Sequence, residues 1–321
     1  MSAAGATAAG ATAAGATAAG ATATGATRTV LPRILVTGAA GQLGSELART
    51  LAPLGEVTAL DRAGLDLAHP DEIVSIVRRI APAIIVNAGA YTAVDRAEAE
   101  PDAAYAVNAR APGILADEAK RLDALLIHYS TDYVFDGASP EPRDESAPTG
   151  PLNVYGASKL DGERAVAAAG GHALVFRTSW VYAATGRNFL TTIERLARER
   201  DELRIVDDQH GTPNWSRELA RATARLIAQG VPWLAERSGL YHLSAQGATT
   251  WLGFARAILG DATRVRLVPI TSAEHAAAAR RPAWGILDTC RFTATFGFEL
   301  PHWLDTLREC LHSRGEPSTR A

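Results

Sequence analysis

The sequence predicts an α/β protein with a doubly wound parallel sheet and a smaller C-terminal α/β domain. Three observations predict this fold: short strands alternate with helical stretches, the strands are apolar almost throughout, and a glycine-rich turn joins the first strand to the first helix. Nearly continuous apolar strands are typical of parallel sheets whose two faces are both covered by helices. We therefore expect helices on both sides of a central sheet.

The predicted elements follow one another regularly along the chain. Apolar runs predict strands at 33–37, 57–61, 83–87, 124–129 and 173–177. Helical spacing of apolar residues predicts helices at 41–54, 71–80 and 102–121, and another helix is expected around 155–159, after a polar loop at 136–151. This alternation indicates βαβ units.

We predict three segments in the chain. Residues 1–30 consist mostly of Ala-Ala-Gly-Ala-Thr repeats without large side chains, so we expect a disordered tail. Residues 31–180 are predicted to form a dinucleotide-binding domain and 181–321 a substrate-binding domain, because longer loops and short strands at 203–206, 240–243 and 265–268 follow Trp180. This boundary is approximate, and we allow for segments that cross back.

Composition narrows the functional classes. The chain has 321 residues, 47% of them hydrophobic, and a formal net charge of −3, which argues against a nucleic-acid binder. Its two cysteines, Cys290 and Cys310, form neither a Cys-x-x-Cys nor a zinc motif and indicate a reducing compartment, so we expect a cytoplasmic protein. No apolar run approaches the length of a membrane span, and we expect no membrane partner.

Glycines 38, 41 and 44 lie between the first predicted strand and the first predicted helix. They allow a tight turn, a close approach of backbone N–H groups to a pyrophosphate, and close packing of helix on sheet, as in Rossmann-type sites. Asp61 ends the second strand, where an acidic group meets the adenosine ribose hydroxyls. Because Arg62 follows it directly, the choice between NADH and NADPH stays open.

Tyr155 and Lys159 are four residues apart and share one face of a predicted helix. The chain has two lysines, Lys120 and Lys159, among 32 basic residues, so a lysine here suggests a task that a guanidinium cannot perform. A nearby ammonium should lower the tyrosine pKa from about 10 and make the phenol usable in proton transfer. Thr131, at the end of the fourth strand, can donate to a carbonyl oxygen that gains negative charge.

These features together predict hydride transfer. A nicotinamide would lie over the carboxyl edge of the sheet, and Tyr155 would give a proton to a ketone oxygen while hydride reaches the carbon.

Several longer stretches resemble the dTDP-4-dehydrorhamnose reductases, a family of extended short-chain dehydrogenases/reductases. The resemblance runs from Arg33 to about Leu311 and is most specific at 41–44, 87–95, 128–135, 151–156 and 177–182. It implies reduction of the C4 ketone of dTDP-4-dehydro-6-deoxy-L-mannose to dTDP-L-rhamnose, with NADPH or NADH as cofactor.

The resemblance also implies roles for individual residues. Tyr155 would be the proton donor, assisted by Lys159 and Thr131. The implied cofactor-binding residues are Gly38, Gly41, Gln42, Leu43, Gly44, Asp61, Asp66, Leu67, Ala90, Tyr91, Thr92, Tyr155 and Lys159. The sugar nucleotide would meet Thr131, Asp132, Tyr155 and Trp180, and Arg280-Arg281-Pro282-Ala283 would meet its diphosphate.

Some members of this family bind Mg²⁺ through glutamates at a dimer interface, and Glu46 matches one such position. However, Ser216-Arg217-Glu218 has an arginine where the simplest ungapped match would place a glutamate. The resemblance therefore implies no firm Mg²⁺ site, and both a monomer and a homodimer stay open.

Two alternatives compete with this function. A sibling enzyme would reduce a related dTDP-4-keto sugar, for example in streptose or other deoxysugar supply. A different class is a non-catalytic NADP-binding regulatory subunit like that of methionine adenosyltransferase, which resembles the same family. The complete set of Thr131, Tyr155 and Lys159 favours an enzyme over the regulatory subunit.

Overall fold

The computed structural model describes residues 31–261 and 263–314. The predicted tail, residues 1–30, therefore lies outside the described residues. In the described part of the chain the strands are β1 (Arg33–Thr37), β2 (Glu56–Leu60), β3 (Ile84–Asn87), β4 (Leu125–Thr131), β5 (Ala173–Thr178), β6 (Val181–Tyr182), β7 (Glu202–Val206), β8 (His210–Gly211), β9 (Asn214–Trp215), β10 (Gly239–His242), β11 (Thr249–Thr250), β12 (Arg266–Ile270) and β13 (Trp284–Gly285). The helices are α1 (Gln42–Leu51), α2 (Pro70–Ile80), α3 (Val94–Ala97), α4 (Pro101–Tyr105), α5 (Ala111–Arg121), α6 (Val154–Ala169), α7 (Phe189–Glu199), α8 (Ser216–Ile227), α9 (Val231–Ala235), α10 (Trp251–Leu259), α11 (Ser272–His275), α12 (Cys290–Phe296) and α13 (Trp303–Ser313).

The central sheet confirms the predicted fold class. Its strands run in the order β10-β5-β4-β3-β1-β2, and all neighbouring strands are parallel. Along β1, Ile34 and Val36 enter one apolar cluster with the leucines of α1 and α8, whereas Leu35 enters a second cluster with α2, α5 and α6. Both faces of the sheet are thus covered, as the continuous apolar strands predict.

The predicted helix 102–121 is not a single regular α-helix. It consists of α4, a π-helical turn over Ala106–Arg110, and α5. Pro112 explains the interruption, because its nitrogen carries no hydrogen for the carbonyl of Asn108 four residues earlier. Gly162 of α6 packs against that carbonyl, and a Cβ on Gly162 would lie 2.1 Å from the Asn108 oxygen.

The second half of the chain contains smaller sheets. Strand β12 pairs with β7, and β8 lies between β11 and β13. An apolar cluster beside them includes Tyr182, Trp215, Phe254 and Trp303. Strand β10 nevertheless pairs with β5 in the central sheet, and α8 packs against α1, so parts of this half do cross back. The division at residue 180 stays a prediction.

In the part of the chain that the structure describes, no helix combines the length and the apolar character that crossing a bilayer requires.

Candidate functional site

A cleft of about 1040 Å³ lies at the carboxyl edge of the sheet. The strand order reverses between β1 and β3, which is where open parallel sheets bind ligands. Nearly all the predicted site residues line this cleft: Gly38, Gly41, Gln42, Leu43, Asp61, Asp66, Leu67, Ala90, Tyr91, Thr92, Thr131, Asp132, Tyr155, Lys159 and Trp180. The structure therefore brings residues from distant parts of the sequence together.

Gly44 does not line the cleft but packs against the turn that does. A Cβ on Gly44 would lie 2.1 Å from the Gly38 carbonyl oxygen. Gly44 thus allows the close approach of α1 to the turn, and its predicted part in cofactor binding stays a prediction.

The glycine-rich turn has the shape that a dinucleotide needs. Gly38 has a φ of 70°, in the left-handed region, and a Cβ there would lie 2.6 Å from the backbone of Gly89. The N–H of Gly41 donates to the Gly38 carbonyl at 2.9 Å, which closes the turn immediately before α1. Any side chain at Gly38 would collide with the β3 loop, so the backbone itself forms this wall of the cleft.

The far end of the cleft carries Asp61, Arg62 and Asp66. Asp61 Oδ1 accepts hydrogen bonds from the N–H groups of Ala63 and Gly64, at 3.0 and 3.1 Å, and so shapes the turn after β2. Arg62 Nε donates to Asp66 Oδ2 at 3.1 Å. The pKa of Asp66 is lowered by a hydrogen bond from the Ala68 N–H and also by Arg62. This end of the cleft therefore contains both negatively and positively charged side chains.

Helix α6 delivers Tyr155 to the cleft within its first turn. Asn153 caps the helix by accepting from the Gly156 N–H at 2.8 Å. Gly156 allows α6 to approach the turn after β4, because a Cβ there would lie 2.2 Å from the Tyr133 carbonyl oxygen. Tyr155 therefore sits beside Thr131 at the end of β4.

The Tyr155 phenol does not show the lowered pKa that the sequence predicts. Burial raises its pKa to about 12, opposed by a hydrogen bond with Thr131. Thr131 Oγ1 lies 3.0 Å from Asp132 Oδ1, to which it donates. Burial also raises the pKa of Asp132 to about 7, and in the described part of the chain its Oδ2 has no hydrogen-bond partner.

Lys159 points towards β4. Its Nζ donates to the Tyr129 carbonyl oxygen and lies 3.4 Å from His128 Nε2. Burial lowers the pKa of Lys159 to about 8, although Glu163 raises it. Burial, and not the Lys159 ammonium, is the largest influence on the pKa of Tyr155, and the predicted direction of that pKa is therefore wrong.

Two glycines that sequence reasoning missed lie against Trp180 and Asp132 of the cleft. A Cβ on Gly211 of β8 would lie 2.5 Å from the Trp180 indole, and one on Gly285 of β13 would lie 2.3 Å from Asp132 Oδ2. The sequence gives no sign of these contacts, because they depend on how the short strands pair.

Trp180 adopts an unusual conformation. Its φ of 41° lies in the left-handed region, and its ring stacks on Trp251 with centroids 3.6 Å apart and planes at 7°. Such backbone strain in a non-glycine residue is found most often at functional sites. Trp251 also lines the cleft and was not identified from the sequence.

Asn108 is another residue that the sequence analysis missed. Its Oδ1 accepts from the Tyr91 N–H at 2.8 Å, and its Nδ2 donates to the Tyr91 carbonyl and to Ser158 Oγ, both at 3.0 Å. The π-helical turn thus ties the loop after β3 to the helix that carries Tyr155. The sequence does contain one signal for this turn, because Pro112 lies ten residues into the predicted helix 102–121.

Glu46, the candidate Mg²⁺ ligand, is already ion-paired. Arg217 donates to both of its carboxylate oxygens, at 3.2–3.3 Å, and Arg49 also donates to it. These hydrogen bonds lower the pKa of Glu46, although desolvation opposes them. Across residues 31–261 and 263–314, no three His, Cys, Asp or Glu side chains form a group that could hold a metal ion.

The Arg280–Ala283 segment is partly exposed and lies beside α3. Arg281 pairs with both oxygens of Asp95, at 2.7 and 3.1 Å, and the Arg280 carbonyl accepts from Asn153 Nδ2 at 2.7 Å. The contact between this segment and the diphosphate of the sugar nucleotide stays a prediction.

Comparison with known proteins gives a consistent result. The family model described as the RmlD substrate binding domain matches residues 32–315. A Burkholderia thailandensis protein named dTDP-4-dehydrorhamnose reductase is 48% identical over 291 residues, which cover 87% of this chain and 98% of that protein. A Streptomyces griseus protein of the same name is 43% identical over 284 residues, covering 87% and 92%. The crystal structure of a Bacillus anthracis dTDP-4-dehydrorhamnose reductase in complex with NADP has a TM-score of 0.84 and 35% identity, covering 88% of this chain and 100% of that one.

Proposed function

This chain belongs to the dTDP-4-dehydrorhamnose reductase family, and we propose that Tyr155, Thr131 and Lys159 carry its chemistry. It reduces the C4 ketone of dTDP-4-dehydro-6-deoxy-L-mannose to dTDP-L-rhamnose, using a reduced nicotinamide cofactor. The observation that carries the residue assignment is that Tyr155 and Thr131 lie in one cleft with the glycine-rich turn.

The cleft suits a nicotinamide dinucleotide, which supplies a hydride when bound. The tight turn at Gly38 and Gly41 and the start of α1 provide backbone N–H groups for a diphosphate. Asp61 would meet the adenosine ribose, and Arg62 would suit a 2′-phosphate, so this end accommodates both NADH and NADPH. Residues 90–92 would support the nicotinamide half.

Tyr155 would donate the proton in this reaction. Because its pKa is raised to about 12, the phenol stays protonated at neutral pH and has a proton to give. Hydride adds to C4 of the sugar, the ketone oxygen takes the tyrosine proton, and the resulting phenolate regains a proton from solvent. Thr131 would donate to the same oxygen as negative charge develops on it.

Asp132 and Trp180 would recognise the sugar nucleotide. Asp132 Oδ2 is buried without a partner in the described part of the chain, and a substrate hydroxyl can satisfy it. The Trp180 ring, fixed by its stack on Trp251, offers a flat apolar surface for a sugar face.

A sibling activity on another dTDP-4-keto sugar is the second candidate, because the second half of the chain sets the shape of the sugar pocket. A regulatory role without turnover is less favoured, because the cleft contains the complete set of Thr131, Tyr155 and Lys159.

The test is NADPH and NADH oxidation by the purified protein against a panel of dTDP-4-keto-6-deoxy sugars, with product stereochemistry determined by NMR. We expect the fastest turnover with dTDP-4-dehydro-6-deoxy-L-mannose and dTDP-L-rhamnose as product. Faster turnover of another sugar would support the sibling activity, and cofactor binding without any turnover would support the regulatory role.

A further inference from the structure

One buried residue, Asn214 of β9, contacts the backbone on both sides of Trp180. Asn214 Nδ2 donates to the carbonyl oxygen of Ser179 at 2.8 Å, and the Asn214 backbone N–H donates to the carbonyl oxygen of Trp180 at 3.1 Å. These two carbonyls belong to the two peptide groups that flank the Trp180 Cα. Asn214 is only 1% exposed, so water cannot readily replace either hydrogen bond.

The two hydrogen bonds restrict the backbone dihedrals of Trp180. Because peptide groups are planar, φ and ψ set the orientations of the two groups that flank a Cα, and a partner bound to both carbonyls limits both angles. The φ of Trp180 is 41°, in the left-handed region, which is unfavourable for a residue with a Cβ. Such a conformation persists only where the surrounding structure imposes it, and Asn214 supplies a constraint of this kind.

The orientation of the Asn214 amide is fixed by the chain. The Ala245 N–H, which can only donate, lies 2.7 Å from Asn214 Oδ1, so Oδ1 is the acceptor and Nδ2 carries the hydrogens. Nδ2 also lies 2.9 Å from the Thr212 carbonyl oxygen and 3.1 Å from Ser244 Oγ. Asn214 is therefore bound to residues 244 and 245 as well as to the backbone around Trp180.

Asn214 thereby connects the two segments that carry the stacked indoles. Residues 244 and 245 come shortly before α10, which begins at Trp251. The Trp180 and Trp251 rings have centroids 3.6 Å apart, and both line the cleft. A shift of either segment relative to the other would separate the rings.

We propose that Asn214 is a positioning residue that fixes both peptide groups around Trp180 and so holds the indole on Trp251 at the cleft. Asparagine suits this task because its side chain offers a donor and an acceptor at once, whereas alanine offers neither. Without the Nδ2 donor, the Trp180 backbone would relax to a negative φ and carry the indole away from Trp251. The benefit for the reaction rests on the sugar contact proposed above for Trp180.

The first test observes the ring stack in the full-length protein without substrate. Two stacked indoles couple electronically and give a pair of bands of opposite sign in the far-UV circular dichroism spectrum. The chain has six tryptophans, and within the described residues no other two of their rings stack. The difference between wild type and Trp251→Phe identifies the bands of this pair. We expect Asn214→Ala to lose most of their amplitude.

Ser244→Ala is the matched control. It removes one neighbour of Asn214 Nδ2 but leaves both hydrogen bonds to the backbone around Trp180. We expect the bands of this control to match those of the wild type. Bands of full amplitude in a folded Asn214→Ala protein, or an equal loss in Ser244→Ala, would overturn the proposal.

A comparison at residue 180 itself keeps the proposal testable if Asn214→Ala does not fold. Glycine adopts a positive φ freely, whereas alanine is strained there. If the backbone is held in the left-handed region, Trp180→Gly should melt about 2 °C higher than Trp180→Ala. The reverse order would show that the backbone is not held there and would overturn the proposal.

Steady-state kinetics would connect the position of the ring to the sugar nucleotide. In Asn214→Ala we expect KM for the sugar nucleotide to rise by about fivefold, with kcat within about twofold, and no further rise when Trp180→Ala is added. Additive rises would mean that Asn214 does not act through Trp180, and would overturn the proposal. Loss of the dichroism bands with an unchanged KM would instead refute the sugar contact of Trp180, while the placement of its ring by Asn214 would stand.

Discussion

Gly211 and Gly285 are register partners in the parallel strands β8 and β13. Each leaves room for a different side chain of the cleft: Gly211 for the Trp180 indole and Gly285 for the Asp132 carboxylate. The two proposed substrate contacts are therefore supported by one short strand pair, although they are 48 residues apart in the sequence.

Gly211→Ala should weaken binding of the sugar nucleotide, because a Cβ 2.5 Å from the Trp180 ring would displace it from Trp251. We expect KM for the sugar nucleotide to rise by about tenfold, equivalent to roughly 1.4 kcal/mol, with KM for the cofactor unchanged. Steady-state kinetics with each substrate varied in turn would measure this.

Gly150→Ala is the matched control, since a Cβ there meets its nearest neighbour at an ordinary 3.4 Å. Equal KM values for the sugar in the wild type and Gly211→Ala would contradict the supporting role of Gly211.

Tyr155→Phe should remove the proposed proton donor and keep the ring. We expect kcat to fall by about 100-fold or more, while the dissociation constant for the cofactor stays within about twofold. Rapid-reaction kinetics and cofactor titration would measure the two effects. Tyr105→Phe, on α4, is the control and should retain the wild-type rate; normal turnover in Tyr155→Phe would refute the assignment.

Asp132 should make the stability of the protein depend on pH. Its pKa is about 7 in the folded protein and about 4 in an unfolded chain, so the folded state binds more protons between these values. The free energy of unfolding should therefore fall as pH rises from about 4 to about 7, by at most roughly 4 kcal/mol from this group.

Urea unfolding at pH 5 and pH 8 would measure that dependence. Asp132→Asn should reduce the difference between the two pH values, whereas Asp117→Asn, an exposed position on α5, should leave it as in the wild type. The same pH dependence in all three proteins would show that Asp132 is not its source.

Removal of divalent cations should not affect activity. Glu46 is already paired with two arginines, and its neighbour Arg217 supplies positive charge where a cation would otherwise be needed. We expect the same rate before and after treatment with excess EDTA. A loss of activity that Mg²⁺ restores would contradict this prediction.

Local patterns in the sequence predicted the sheet and most of the cleft. Apolar strands and the glycines at 38 and 41 depend on short-range spacing, and Tyr155 and Lys159 depend on one helical turn. Gly211, Gly285 and Trp251 could not be found this way, because their importance comes from contacts between segments that are distant in the sequence. The pKa of Tyr155 was predicted in the wrong direction because desolvation depends on burial, which spacing does not reveal.

Strand β10 comes from the second half of the chain but belongs to the central sheet, and this affects where the chain can be cut into fragments. Strand β10 covers the edge of β5, yet 60 residues of the chain separate the end of β5 from the start of β10. A fragment cut at residue 180 would leave β5 as a bare edge, open to pairing with other copies. Expression of the first half alone should therefore give aggregates, and the two halves should melt in a single cooperative transition.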